Sequence, residues 1–401
     1  MKKQMLILLL GLLLAACGSS PPEIISPLVA DPTYGFTEEN PIMVGGGPDF
    51  GPLREQWYFN RLVGPEGEKV RYERTGSCCS FDPDSQHQIG GSLDMYEVSY
   101  RGLDKPVLLY VDMYQCEAPQ APKGFGLVED PGAFKGTIYF AAMSAIFSGD
   151  YGLNIYALEG ETQCLNPLPM PAPAFYPFSV SPDGARFAYA ISDETTSRIM
   201  IFDLETGNAL QISPDNTWDE MPTWSPDGSR IAFARHNESD VNIYQHDLED
   251  GGTSALLSTP DIDMEPAWST DGEWIAFTSS RGGDADIFVT DTDGSNIRQL
   301  TDNPSFEMSP SWSQDGKHIA FVSDRNGSFD LYTMDLEGED VTQVRTPHGD
   351  VYYPDWSPDR NSIAFCLDDG STVQIYKVNV DGSGLEQLTA SNSASCFPEW
   401  N

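Results

Sequence analysis

Carboxylates at a fixed interval are the side chains of this 401-residue chain best placed to do chemistry. Asp219, Asp263 and Glu307 stand 44 residues apart, with Glu220 and Glu265 close by. Val351 and Ser395 continue the register, Phe175 precedes it, and Tyr176, Tyr352, Tyr353 and Phe397 flank it. An arc of oxygen ligands suits a hard cation such as Ca²⁺; an acidic arc facing an aromatic one suits a Lys- or Arg-bearing peptide. Asp219, Glu220, Asp263, Glu265, Glu307, Tyr352 and Tyr353 are therefore the candidate partner- or cation-binding residues. The plainer reading makes them solvated loop residues. Asp286 and Asp330 read as loop-ordering hydrogen-bond acceptors. With 61 Asp and Glu in the chain, no carboxylate pair singles itself out as catalytic. His236, His246, His318 and His348 are scattered, and no metal-ligand spacing appears.

The elements that position these residues come from a repeat. Pro-x-Trp-Ser-x-Asp-Gly followed by Ile-Ala-Phe runs from Pro222 to Phe233, and its tryptophan returns at Trp268, Trp312, Trp356 and Trp400, every 44 residues. Val180 occupies the same register one step earlier. Pro-x-Trp reads as a strand and Ser-x-Asp-Gly as a tight turn, where Asp bonds the backbone and Gly accepts positive φ. Ile231–Phe233 and its copies form a second strand, and doublets such as Ile243-Tyr244 and Ile287-Phe288 a third. After a second turn, Arg298–Thr301 and Glu386–Thr389 supply a fourth. Four short strands per 44 residues is the arithmetic of a β-propeller blade.

The second- and third-strand signals each occur six times, counting Ile138–Phe140 and Ile155-Tyr156. The first copy carries about five extra residues near Ala142 to Tyr151, because Ile138 lies 49 residues before Phe187. The sixth Pro-x-Trp strand, Phe397–Trp400, stands at the C-terminus. The expectation is a six-bladed propeller whose first blade takes its innermost strand from the end of the chain, leaving no open edge. The Trp column then serves packing, each buried indole being worth about 4–6 kcal/mol. Cys366 and Cys396 fall at the ends of strands that this closure brings together, so a disulfide there is conceivable.

The repeat Trp-Ser-Pro-Asp-Gly-x-x-Ile-Ala-Phe, with Ile-Tyr and Gln-Leu-Thr behind it, resembles that of the TolB-type (WD40-like) β-propellers. The resemblance covers about Gly136 to Asn401 and implies a periplasmic propeller that binds envelope proteins. Prolyl-oligopeptidase-like peptidases share the repeat, but no Gly-x-Ser-x-Gly elbow is present here.

The first residues point the same way. Lys2 and Lys3 precede an apolar run, Met5 to Ala16, whose helix would rise about 18 Å, short of the roughly 30 Å of a bilayer core. Leu14-Ala15-Ala16-Cys17 resembles the bacterial lipobox, which implies cleavage before Cys17 and lipidation of its thiol, with acyl chains as the anchor. Residues 1–16 read as a lipoprotein signal peptide, 17–32 as a tether, 33–132 as a small, mostly β N-terminal domain, and 133–401 as the propeller. Within the N-terminal domain, Gln56–Phe59 and Lys69–Tyr72 suggest a hairpin around Gly64–Gly67, and Met95–Tyr100 and Val107–Tyr114 are two further strands. Apart from Cys17, six cysteines remain: Cys78, Cys79, Cys116, Cys164, Cys366 and Cys396, with several pairings open. The formal net charge of −39 argues against nucleic acid as a partner. The expected function is a lipid-anchored, non-enzymatic binding scaffold at the periplasmic face of the outer membrane, recognising an envelope protein, peptide or cell-wall component. Palmitate on Cys17 fits that reading. No cofactor beyond Ca²⁺ is implied. The alternative is a metal-dependent polysaccharide lyase.

Overall fold

The computed structural model describes residues 35, 41–43, 54–55, 58–81, 91–103, 105–112, 120–122, 125–127, 135–145, 151–160, 165–168, 177–193, 195–389 and 394–401. The described residues belong to two compact bodies, one ending at Pro131 and the other holding Gly132–Asn401. Cys17, Cys116, Cys164, Phe175 and Tyr176 lie outside the described residues, and so does the apolar segment before Cys17.

In the first body, Ile42–Met43, Val107–Asp112, Gly91–Ser99 and Arg71–Phe81 form a sheet in that order. Ile42–Met43 runs parallel to its neighbour; the other pairs are antiparallel. Its core is aromatic: the Phe59 ring lies 4.5 Å from Tyr96 and 4.7 Å from Tyr72, over buried Val98, Leu109 and Val111. The expected hairpin takes another form. Tyr58 and Phe59 are helical and buried, while Leu62–Val63 pairs with Gly126–Leu127. Burying two adjacent rings in one core favours a helical turn, since successive side chains of a strand point to opposite faces.

The second body is a series of four-strand modules. A representative one is Asp263–Trp268, Trp274–Ser279, Asp286–Asp291 and Arg298–Gln299, antiparallel and in chain order. Modules starting at Glu307 and at Asp350 repeat it. The modules starting at Ser179 and at Trp218 are merged into one eight-stranded sheet, through a parallel pairing of Ser197 with Trp218. The Ser-x-Asp-Gly turn folds alike in each copy. Ser269 Oγ donates to Asp271 (2.6 Å) and accepts from Trp274 N (2.9 Å), while Gly272 holds φ at 73°. The same hydroxyl–carboxylate pair recurs as Ser225/Asp227, Ser313/Asp315 and Ser357/Asp359. Arg360 takes the glycine position in the last of these, at φ 66°.

The C-terminal strand Ser395–Trp400 forms a sheet with Thr137–Ala145, Tyr151–Glu159 and Leu165–Pro167. Its register is Cys396 to Ala141 and Trp400 to Ile138. Asn401 and Thr137 exchange backbone hydrogen bonds of 2.7 and 2.9 Å beside it. The residues added in this module lengthen its hairpin, where Thr137–Ala145 pairs with Tyr151–Glu159 along the full length of both strands.

Tryptophans hold neighbouring modules together. Trp224, Trp268, Trp312, Trp356 and Trp400 are 4–7 % exposed, and Val180 fills the equivalent place. Trp224 and Trp312 donate Nε1–H to Ser179 O and Ala267 O of the preceding module, and Trp400 donates to Lys135 O. Arg186 and Arg230 lay their guanidinium groups 4.7 and 4.9 Å above the rings of Trp224 and Trp268. Burial of Trp400 alone is worth about 4 kcal/mol. Deleting residues 397–401 is therefore expected to lower the melting temperature by about 10 °C or more. Thermal unfolding followed by circular dichroism checks this.

Candidate functional site

Five of the innermost strands are broken at the same point. In the pair Trp218–Trp224 with Arg230–His236, Glu220 faces Ala234 and Thr223 faces Ala232, so Met221 and Pro222 together oppose Phe233. That β-bulge recurs in the strands starting at Asp263, Glu307, Asp350 and Ser395. Its first residue sits at positive φ each time: Met221 56°, Glu265 54°, Ser309 55°, Tyr353 48° and Phe397 57°. None is glycine, and such backbone costs of order 1–3 kcal/mol per residue, so the surrounding packing must hold it.

These five residues line one cavity of about 280 Å³. Pro177 and the next tier of side chains, Ser179, Thr223, Ala267, Ser311, Asp355 and Glu399, line it too, and the wall extends to the turn residues Pro182, Thr270 and Gln314. The tier next to the tryptophans is stitched across modules. Asp355 accepts from Ser311 Oγ (2.7 Å) and Trp400 N (2.6 Å). Glu399 accepts from Val180 N (2.8 Å) and Ser179 Oγ (3.0 Å), and Ser179 Oγ accepts from Trp224 N (3.3 Å). In the bulge tier, Glu265 accepts from Ser309 N and Oγ and from Thr278 Oγ1, and the Tyr353 and Phe397 rings stand 4.7 Å apart. Burial lifts the Asp355 carboxyl to about 6. Burial first, and then the charge of Asp355, lifts Glu399 to about 8. Burial, with Glu265 and Glu220 nearby, also raises the Tyr353 phenol.

The carboxylates singled out by spacing separate into two groups. Asp219, Asp263 and Glu307 do not form an open acidic arc. All three are fully buried, and each is held by an arginine of the next strand or of the loop after it. Asp219 takes two bonds of 2.7 Å from Arg235. Asp263 takes two from Arg281 and one each from Ser279 and Thr259. Glu307 binds Arg325, Ser323 and Asn303. The guanidinium groups in turn lie over core rings, as Arg235 does 4.4 Å from Tyr244. Their oxygens are therefore spent on the protein and are not free ligands for Ca²⁺ or a peptide. The bulge is the reason: it sets the position five before Trp on the same face of the sheet as Trp, where the arginine reaches it, and leaves the bulge residue to enter the cavity. Glu220 binds His236 and the Trp218 indole, and Tyr352 packs 5.9 Å from Phe329; neither lines the cavity. Glu265 and Tyr353 do line it. Met221, Ser309, Asp355 and Glu399 were not singled out from the sequence. The signal available was the residue on either side of the recurring proline, which changes from copy to copy.

Asp286 accepts from Gln299 and Thr301, and Asp330 from Gln343, which orders the strand ends. Cys366 and Cys396 form a disulfide with Cα atoms 5.2 Å apart, and Phe397 N donates to the Cys366 sulfur. Of the described histidines, His246 bonds Thr253, His318 lies near Trp356, and none lines the cavity. Among the described residues, no group of three or more His, Cys, Asp and Glu is placed to hold a metal ion.

Four-strand modules whose innermost strands surround one cavity define a mainly-β protein of the propeller class. A family model described as the TolB beta propeller domain matches residues 126–305 and 301–401, and the chain belongs to that family. No curated protein matches it in sequence. Among solved structures it is similar in fold to TolB from Acinetobacter baumannii, with a TM-score of 0.60 and 22% identity, covering 87% of this chain and 84% of that one. It also resembles putative TolB from Agrobacterium tumefaciens (TM-score 0.50, 18% identity, 66% of this chain and 99% of that one). A third similar structure is the hydrazine synthase of Kuenenia stuttgartiensis (TM-score 0.54, 16% identity, 66% and 46%).

Two measurements test this account of the site. Asp263→Ala strands the Arg281 charge and is expected to cost about 3 kcal/mol in urea unfolding. For the raised carboxyls the sign follows from proton binding. Folded Glu399 (about 8) and Asp355 (about 6) keep protons that the unfolded chain has already released above about pH 4.5. Buried Glu55, at about 7, and Asp286, at about 6, act in the same direction. Stability is expected to fall as pH rises from 5 to 8.5, by about ten degrees or less in melting temperature. Glu399→Gln flattens the upper part of that slope, from about pH 6 to 8.

Proposed function

We propose that this chain is a non-enzymatic, lipid-anchored binding scaffold of the bacterial cell envelope, docking a protein or peptide partner at the cavity of a TolB-type propeller. In this reading the propeller has six blades, with Ser395–Trp400 as the innermost strand of the first and the Cys366–Cys396 disulfide beside that seam. Residues 1–16 are the signal peptide, Cys17 carries the lipid, residues 17–32 are the tether, and the final location is the periplasmic face of the outer membrane. One observation carries the docking reading: five non-glycine residues are held at positive φ so that their side chains, different in each module, line a common cavity. Backbone strain repeated at one place in five modules is a cost that packing alone does not require. Family membership supports a binding role in general terms. Among the described residues, no histidine lines the cavity beside its carboxylates, the arrangement that the lyase alternative calls for.

Affinity purification from cross-linked envelope membranes tests the proposal. The wild-type chain is expected to enrich a partner, and Ser311→Trp, which fills the cavity, to lose it while keeping the wild-type circular dichroism spectrum. In the same preparation Cys17→Ser is expected to move the protein from the membrane pellet to the soluble fraction. A folded Ser311→Trp variant that captures the wild-type partner set would refute docking at the cavity.

A further inference from the structure

We propose that the cavity is a receptor for a single ammonium or guanidinium group carried by a peptide, held by Asp355 and Glu399. The inference rests on the docking reading and specifies the chemistry of what docks. Among the described residues, four titratable ones line the cavity: Glu265, Tyr353, Asp355 and Glu399. No Lys, Arg or His is among the described lining residues. Elsewhere in this body three buried acids, Asp219, Asp263 and Glu307, have their own arginine, whereas buried Asp286 accepts only from Gln299 and Thr301.

An ionisable carboxyl at Asp355 and at Glu399 exceeds what the fold asks of these positions. Their structural duty is to accept a backbone N–H from the following module, at Trp400 and Val180. Ser179 performs the same duty for Trp224 N with a neutral hydroxyl. Thr223, Ala267 and Ser311 occupy the equivalent places without charge. Two carboxyls near each other in a partly dehydrated cavity either keep a proton or take up a cation. Glu399 also keeps an oxygen in reserve: both of its hydrogen bonds use Oε1, and Oε2 makes none. The remaining wall suits the stem of a basic side chain. Trp, Pro, Phe397 and Tyr353 offer apolar and aromatic surface to methylenes and to a guanidinium plane. A volume of about 280 Å³ admits one side chain and not a folded domain. The net charge of −39 draws a basic segment toward the protein.

A cation between these groups lowers both pKa values, so Glu399, largely protonated at pH 7, releases its proton to solvent on binding.

Isothermal titration calorimetry on the full chain tests this with N-acetyl-Gly-Arg-Gly-amide, its citrulline counterpart, which is uncharged and nearly the same shape, and agmatine, at pH 7 in phosphate and in Tris. The arginine peptide is expected to bind about tenfold or more tightly than the citrulline peptide. The apparent enthalpy is expected to differ between buffers by the heat of the released proton. Glu399→Gln can keep the bond to Val180 N through its amide oxygen; it is expected to lower affinity about tenfold and remove the buffer difference. Asp355→Asn serves as the second variant, each checked for its melting transition. Equal binding of the arginine and citrulline peptides, or no loss in Glu399→Gln, overturns the proposal. Agmatine binding as tightly as the arginine peptide overturns the peptide as the source of the cation. If Ser311→Trp loses the envelope partner while Glu399→Gln retains it, the cation reading fails and docking at the cavity stands.

Discussion

The β-bulge before each recurring proline is the constraint on which the rest of the second body depends. Two residues there oppose one on the neighbouring strand, so the inward–outward alternation of side chains slips by one. Past the slip, Trp and the residue five before it share a face, although an unbroken strand would set them on opposite faces. The bulge residue itself is forced into the left-handed region and enters the cavity. One backbone irregularity therefore decides which residues are structural and which line the site.

Its energetic consequences run in two directions. On the buried face, a carboxylate five residues before Trp would be costly alone, and a bidentate or hydroxyl-assisted arginine accompanies it wherever it occurs. The same arginines cover the Phe and Tyr rings of the second and third strands, coupling the ion pair to the core. At the cavity no such partner is supplied among the described residues. Asp355 and Glu399 spend hydrogen bonds on the backbone of the next module, and burial holds their protons into the neutral range. The module that borrows the C-terminal strand and the most strongly shifted carboxyl of the cavity thus meet in one strand, Ser395–Trp400.

Much of the acidity has a local explanation. The Asp of each Ser-x-Asp-Gly turn accepts from a hydroxyl and from backbone N–H groups, which pulls Asp227 down to about 2. Such residues are turn chemistry and carry no message about a partner. Composition could not separate them from Glu399, because both add one charge to the same total.

The sequence by itself determined the modules. A 44-residue period, tight-turn residues and β-branched doublets are local signals, and each acts within a few residues of where it is written. The Trp column was legible for the same reason: a large apolar residue recurring in register has to be buried. Tertiary structure decided the orientation of each innermost side chain, since a bulge depends on how a strand meets its neighbour and not on its own residue types. Asp219, Asp263 and Glu307 look like Glu265 in the sequence, and only the pairing register sends three into the core with their arginines and the fourth into the cavity. Likewise, Asp355 and Glu399 gain their raised pKa values from burial and, for Glu399, from the nearby charge of Asp355, two side chains that lie 44 residues apart in the chain.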